Sequence, residues 1–144
     1  MATVSFSKFN DYSEQKNRGV HNWGSHTFKW VLTNSAPTAS NTILTDITQI
    51  ANGNGYTTGG TATTAAISET SGTTTVTLTE VVFTGSGAGM GTFRYAVLYN
   101  DTATSPADAL VGFIDYGSAI TLTAGETFTI RASAASPGTL FTDV

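Results

Sequence analysis

The sequence of 144 residues contains no cysteine, three prolines and few charged side chains. Without cysteine there is no disulfide framework, no thiolate nucleophile and no thiolate ligand for a metal. Charged residues make up 11% of the chain, whereas an average globular protein has about 25%. The polar surface must therefore come from uncharged side chains, and 28 threonines provide much of it. Because threonine is β-branched and suits the solvent face of a strand, this composition favours a β protein.

The few charges are distributed unevenly along the chain. Residues 1–30 hold four cations and two carboxylates (net +2), and the remainder holds two arginines and eight carboxylates (net −6), which together give −4. Binding of nucleic acid needs many phosphate-neutralising cations, so this acidic balance argues against it. No leader pattern follows Met1, and no apolar run reaches the roughly 20 residues that span a bilayer. We therefore expect a soluble protein with no nucleic-acid or membrane partner.

Alternation of apolar and polar residues predicts many short strands. The predicted strands are 4–7, 25–33, 63–70, 73–83, 91–100, 109–116, 119–123, 126–133 and 139–142. The dipeptides Ser71-Gly72 and Ala124-Gly125 are each typical of a tight hairpin. Many short strands with such turn signals predict an all-β fold, an antiparallel β-sandwich or jelly-roll-like single domain.

Two short helices are expected among the strands. Asn10-Asp11 can cap a helix through Arg18, and Gly19 suits the left-handed position that ends it. Isoleucines at 43, 47 and 50 recur at helical spacing and predict one or two turns of helix over 43–50.

The sequence also suggests a division of the chain and a core. Residues 1–20 are interpreted as an N-terminal arm or short helix, and 21–144 as the β-sandwich domain. Large apolar side chains at strand spacing form the predicted core, which contains Phe28, Trp30, Tyr95, Val97, Phe113, Phe128 and Ile130.

Two motifs resemble ligand sites but lack essential parts. His21 and His26 lie on either side of Trp23 and could bind a metal in a turn, yet no third ligand is fixed nearby. The glycine-rich segments 53–60 and 85–91 lack the Lys-Ser/Thr and the glycine spacing of nucleotide-binding loops. We therefore predict no metal and no cofactor, and we interpret the glycines as loop residues that need positive φ.

Catalysis has little support in the sequence. Asp101, Asp108 and Asp115 could provide the carboxylate pair of a glycosidase, but aspartates in a loop such as 100–108 are ordinary turn residues. No Gly-x-Ser-x-Gly elbow occurs, so a serine hydrolase is not indicated either. We predict that the protein is not an enzyme.

Six segments resemble, in this order, a widespread family of small tailed-bacteriophage virion proteins. They are TFKWVLT at 27–33, LTDI at 44–47, GNGYTTGG at 53–60, FRYAVLYND at 93–101, LVGFIDYG at 110–117 and TFTI at 127–130. Each segment alone is short, whereas the ordered series covers most of the chain from about residue 20.

The resemblance implies a capsid decoration (cement) protein with a jelly-roll-like fold, located in the virion after assembly in the host cytoplasm. It implies the major capsid protein as a partner, together with further copies of this chain in a dimer or trimer. It supplies no catalytic residues. From the charge distribution and the polar neighbours of Trp23, we predict that Lys8, Lys16, Arg18 and Trp23 form the interface.

Two alternatives remain open on the sequence alone. One is a tail or fibre component that binds a host-surface carbohydrate, which exposed aromatic residues beside Asp or Asn in a groove would favour. The other is a small carbohydrate-active enzyme, which requires a carboxylate pair with a raised pKa in a pocket.

Overall fold

The structure is a computed structural model that describes residues 6–132 and 138–143. Its strands are β1 (Phe6–Lys8), β2 (Phe28–Thr33), β3 (Thr61–Thr63), β4 (Ala65–Thr70), β5 (Thr73–Leu78), β6 (Val81–Thr84), β7 (Phe93–Asn100), β8 (Leu110–Ile120), β9 (Thr127–Ile130) and β10 (Gly138–Asp143). A short helix, α1 (Tyr12–Asn17), and a 3-10 turn (Leu44–Asp46) accompany them. Every strand pair is antiparallel, so the prediction of an all-β fold is confirmed.

The strands form two layers around a main core. A five-stranded sheet has the order β1-β8-β7-β2-β3, and the opposing layer consists of the sheets β10-β5-β4 and β6-β9. Apolar side chains from both layers meet between them, and they include Phe28, Trp30, Leu32, Val76, Leu78, Phe83, Leu98 and Ile130. The arrangement is sandwich-like, as the alternating strands predicted.

The outer face of the five-stranded sheet is also partly covered. Val31, Val97 and Tyr99 on this face pack against Phe9 and against Ile47 from the long loop between β2 and β3. Five of the six residues of β2 are therefore buried. A strand with both faces covered carries few polar residues, which explains the apolar run Trp30-Val31-Leu32 in β2.

The hairpin prediction is confirmed at one turn and wrong at the other. Ser71 (φ 51°) and Gly72 (φ 83°) join Thr70 to its direct partner Thr73, as a two-residue hairpin requires. The turn at Ala124-Gly125 instead joins β8, which pairs with β7, to β9, which pairs with β6. Local turn chemistry fixes the reversal of the chain but not the strand with which each arm pairs.

Several strand boundaries also differ from the prediction. The predicted strand 73–83 divides into β5 and β6, where the chain passes from the three-stranded to the two-stranded sheet. The predicted strand 63–70 begins with the last residue of β3, in the five-stranded sheet, and continues as β4 in the three-stranded sheet. Conversely, the two strands predicted over 109–123 form the continuous β8. The predicted ends at Val4 and Ser133 lie outside the described residues.

The two helix predictions have different outcomes. The first is confirmed as α1, and Gly19 follows it with φ 80°. Asp11 occupies the N-cap position, but its side chain makes no capping bond and accepts from the side-chain amide of Gln15 instead (3.0 Å). The second is wrong beyond the 3-10 turn, because Ile47 is extended and the amide of Ile50 donates to the carbonyl of Leu32 (3.0 Å). Hydrogen bonding to the edge of β2 replaces the helical bond at that position.

The first 20 residues do not form a separate arm in the part that is described. β1 pairs with β8 along its whole length, and Phe9 and Tyr12 are buried in the two cores. The segment from Phe6 onward thus belongs to the sandwich.

The predicted core is confirmed for Phe28, Trp30, Val97 and Ile130, and it needs correction for Tyr95, Phe113 and Phe128, which are only half-buried. The register between β7 and β8 shifts between Phe93 and Tyr95. A register shift changes which side chains face inward, so the core side chain is Phe93. Phe113 packs on Phe9 outside the main core, with ring centroids 5.2 Å apart.

Gly60 and Gly59 provide a matched test of how closely the β2–β3 loop packs. Both glycines have positive φ (77° for Gly60 and 97° for Gly59). A Cβ added to Gly60 would overlap the carbonyl oxygen of Trp30. A Cβ added to Gly59 would have the Tyr99 hydroxyl, 3.8 Å away, as its nearest neighbour. Gly60→Ala should therefore lower the free energy of unfolding by about 1–3 kcal/mol more than Gly59→Ala in urea titrations. Equal losses would contradict the close approach of loop and strand.

Candidate functional site

Trp23, predicted as an interface residue, is a buried loop anchor. Its side chain is only 5% exposed and stacks on Phe28, with ring centroids 3.9 Å apart and planes 10° apart. The indole Nε1 donates to the hydroxyl of Tyr12 (3.1 Å). The polar neighbours of Trp23 suggested exposure, but the aromatic partners come from α1 and β2 and are not visible in the local sequence.

Lys8, Lys16 and Arg18 lie on β1 and at the end of α1, and we call them the cationic end. All three are exposed. The ammonium of Lys8 lies 4.2 Å from the ring centroid of Phe141, which is a cation–π contact. Partial burial, together with repulsion from Lys16, lowers the pKa of Lys8. Arg18 pairs with Glu14 (2.7 Å) one helical turn earlier.

His21, His26 and Asn100 form a polar group that we call the histidine cluster, in which His21 and Asn100 are buried and His26 is half-buried. The Oδ1 of Asn100 accepts from the amides of Thr102 (3.0 Å) and Ala103 (3.2 Å), so its Nδ2 must face the histidines. That Nδ2 lies 3.3 Å from Nδ1 of His21 and 2.9 Å from Nδ1 of His26. An amide nitrogen only donates, and the two N–H groups of Nδ2 are divided among these two ring nitrogens and the carbonyl of Val20 (3.1 Å).

The surroundings of His21 oppose its protonation. The ring is 7% exposed and stacks on Tyr12, and its Nε2 has no hydrogen-bond partner within residues 6–132 and 138–143. Burial, and then repulsion from His26, lower the pKa of His21 to about 4 despite the opposing effect of Asp11. The described residues contain no group of three or more potential metal ligands, and Nδ1 of each histidine lies within hydrogen-bond distance of the Asn100 amide nitrogen. This geometry is that of a structural network.

A second polar group, which we call the acidic cluster, lies where β7 ends and contains Lys29, Tyr99, Asp101 and Asp108. Lys29 pairs with Asp101 (3.0 Å), and the Tyr99 hydroxyl donates to the Gly59 carbonyl (2.7 Å) and lies 3.3 Å from Asp101. Burial, and then repulsion from Asp101, raise the pKa of Asp108, while Lys29 acts in the opposite direction.

Asp115 lies apart from the other two aspartates. It pairs across the sheet with Tyr95, near the opposite end of β7 from Asp101. Arg94 binds both of its carboxylate oxygens (2.8 and 3.0 Å). These hydrogen bonds, with one from the Gly117 amide, lower the pKa of Asp115. The structure therefore brings Asp101 and Asp108 together and leaves Asp115 in a separate ion pair.

An ionised carboxylate beside one of raised pKa can in principle act as a general acid–base pair. In the acidic cluster, however, Asp101 is bound by Lys29, and Asp108 adopts φ 52° in the turn before β8. A cavity of about 30 Å³ lies elsewhere, between the layers, and is lined by Phe6, Trp30, Ile114, Ile130, Arg131, Ala132 and Leu140. That volume has room for water only.

The glycine-rich loop 53–60 contains positive φ angles at Gly53, Gly55, Gly59 and Gly60, as predicted. Sequence reasoning did not single out Asn100, the hub of the histidine cluster. The one available signal is an asparagine that ends the otherwise apolar stretch of β7, where a buried amide must find partners.

Comparison of the chain with protein-family models, with curated proteins and with solved structures finds no match. Among the helices of the described residues, none has the length and apolar character needed to cross a membrane.

The buried histidine predicts a loss of stability in acid. Because the pKa of His21 falls from 6.5 to about 4 on folding, the unfolded chain binds more protons between these values. The contribution of His21 to stability is complete above pH 6.5 and is lost as the pH falls to 4, at no more than about 1.4 kcal/mol per pH unit. Urea titrations across this range give the free energy of unfolding at each pH. This free energy should fall less steeply with decreasing pH in His21→Gln than in the wild type. His26→Gln is the control and should keep most of this pH dependence, because burial lowers the pKa of His21 more than repulsion from His26 does. The same pH dependence in the wild type and in His21→Gln would contradict this explanation.

Asp108 and Asp115 should respond in opposite directions to loss of charge. The pKa of Asp108 is raised, so its stabilising contribution is present below the unfolded value of 3.8 and is lost at higher pH. At pH 7, Asp108→Asn should therefore raise the melting temperature by up to a few degrees, since asparagine tolerates the positive φ equally well. Asp115→Asn should lower it, because Arg94 loses its ionised partner. Destabilisation by Asp108→Asn would show that its carboxylate has a favourable partner.

Proposed function

We propose that this protein is a structural component of a tailed-bacteriophage particle, a decoration protein with a jelly-roll-like fold that stabilises the head shell. The main support for this proposal is the position in the fold of the six segments that resemble the phage family. Two of them contain β2 and β7, and a third covers most of β8; these are the three central strands of the five-stranded sheet. Segments that are distant in sequence thus form one contiguous unit. The segment 127–130 forms β9 in the opposing layer.

The two loop segments of the resemblance pack on these same strands. Leu44 and Ile47 contact the outer core, and Gly60 lies against the carbonyl of Trp30. The Tyr99 hydroxyl of β7 donates to the carbonyl of Gly59. The resembling positions therefore have a shared structural reason to occur together, which supports a common fold centre more than an accidental series of short matches.

The surface of the chain suits attachment to a repeating shell. A low-charge body held by antiparallel strands can make many modest contacts, and repetition on a lattice raises the effective affinity of each. Within an acidic protein, the cationic end offers a positive surface to an acidic neighbour, either the major capsid protein or another copy of this chain. Few charges are available, so attachment should be only moderately sensitive to salt.

Exposed aromatic residues beside Asp or Asn would favour the carbohydrate-binding alternative. Trp23 follows Asn22, but its indole is buried against Phe28 and does not provide such a surface. We therefore treat host binding as an outcome of the test below.

The proposal predicts that heads without the protein are less stable to heat. Particles stripped of the protein should release their genome at a lower temperature than decorated particles, and added purified protein should restore the threshold. Decorated particles should contain a copy number comparable with that of the major capsid protein. Heads of equal stability, combined with failed adsorption to cells, would replace this proposal with host binding.

The same assay locates the interface. Arg18→Gln, which removes one positive charge paired with Glu14, should restore the threshold less effectively than wild-type protein. Arg131→Gln is the matched control, because it also removes a positive charge but lies beyond β9, where Arg131 pairs with Glu80 (2.6 Å). Equal loss in both variants would indicate a general charge effect.

A further inference from the structure

Strand β4 is an unusually open edge. It is the last strand of the sheet β10-β5-β4, and all of its residues from Ala66 to Thr70 are exposed. Ile67 at its centre is 50% exposed, the most of any large apolar side chain in the described residues. An unpaired strand edge presents a row of free amides and carbonyls that can pair with another strand.

The other sheet edges in the described part of the chain are shorter or irregular. β1 and β3 have three residues each, β6 and β9 have four each, and the register of β10 shifts between Thr139 and Phe141. β4 has six residues in unbroken register with β5 and contains no lysine, proline or bulge. Short strands, bulges and charges are the usual protections of an edge. Of these, β4 has only the charge of Glu69, so it is the least protected edge.

Hairpin geometry shows which backbone groups face outward. Thr70 and Thr73 flank the two-residue turn and form a hydrogen-bonded pair, and such pairs alternate along an antiparallel ladder. The bond from the Thr79 amide to the Thr64 carbonyl (3.0 Å) agrees with this alternation. The amides and carbonyls of Ala65, Ile67 and Glu69 therefore face the open edge.

We propose that β4 pairs with β4 of a second copy of this chain, antiparallel and centred on Ile67. Two-fold symmetry about this residue pairs Ile67 with its equivalent and Ala65 with Glu69 in each direction. Each of these three pairs exchanges two backbone hydrogen bonds, because all of the groups involved face outward.

The side chains are compatible with this register. Glu69 faces Ala65 of the other copy and never another Glu69, so no like charges meet. Its carboxylate already accepts a hydrogen bond from the Gly72 amide (2.6 Å) within the hairpin. The two isoleucines meet side by side, which covers the apolar surface that each copy leaves half exposed.

Pairing through one strand creates a weak dimer. Six residues of edge bury less than the roughly 800 Å² per partner that is typical of a stable interface. The dimer therefore needs a high local concentration, such as a repeating surface provides. The inference concerns the isolated chain and does not depend on the proposed role in a phage head.

Disulfide trapping tests the register directly. A hydrogen-bonded antiparallel pair has Cα atoms about 5.5 Å apart, within the range of about 4.4–6.8 Å that a disulfide spans. The chain has no cysteine, so Ile67→Cys provides a single reporter. Val82→Cys is the matched control, because Val82 on β6 is 46% exposed. Under mild oxidation, Ile67→Cys should form at least about ten times more covalent dimer.

Ile67→Lys should weaken the dimer without disturbing the exposed strand. Two lysines would lie directly opposite each other, so the dissociation constant from sedimentation should rise at least about fivefold. Val82→Lys, the same change on another sheet, should leave it unchanged, and circular dichroism checks that both variants are folded.

Three results would overturn the inference. They are a chain that stays monomeric at millimolar concentration, equal crosslinking of the two cysteine variants, and a dimer that persists in Ile67→Lys. Because these measurements use only purified protein, they are independent of the head-stability assay, and either proposal can fail without the other.

Discussion

The buried amide of Asn100 is the interaction on which one end of the sandwich depends. Asn100 ends the central strand β7, is fully buried and uses both ends of its side chain. Its Oδ1 holds the start of the following loop, and its Nδ2 reaches back to the carbonyl of Val20 (3.1 Å) and to both histidines. Removing this amide would leave several buried polar groups without partners, which costs more than the bonds themselves contribute.

The aromatic packing between α1 and the sheet follows from this anchor. Once the segment 20–26 is held against Asn100, Trp23 reaches Phe28, and the indole nitrogen finds the hydroxyl of Tyr12. Tyr12 also stacks on His21, with ring centroids 5.1 Å apart. Helix α1 has only six residues and would be unstable alone, so these tertiary contacts maintain it. Uncharged aromatic and amide groups provide most of these contacts, in keeping with a chain that has few charges.

Local signals predicted the all-β class, α1 and the Ser71-Gly72 hairpin, because each depends on neighbouring residues. The failures share a different cause, which is contact between distant segments. Trp23 has polar neighbours in sequence, yet its partners lie on other elements. The isoleucine spacing at 43–50 resembles a helix, yet the edge of β2 binds that backbone. Likewise, an amide 79 residues from His21 lies between the two histidines, and their spacing in sequence does not reveal this partner.

Scarcity of charge also bears on how such a protein controls its own association. Most proteins discourage edge pairing with lysine or inward-facing charges, and a chain with 11% charged residues can do so at few positions. Here strand length and irregularity serve that purpose at β1, β3 and β10. β4 is neither short nor irregular, so the outward-facing amides and carbonyls of its backbone determine which strand can pair with it. Pairing of this kind needs no charge and little specific side-chain chemistry, so it is compatible with a surface made largely of threonine and serine. A regular open edge on an otherwise protected sandwich is therefore the feature of this surface with the clearest physical consequence.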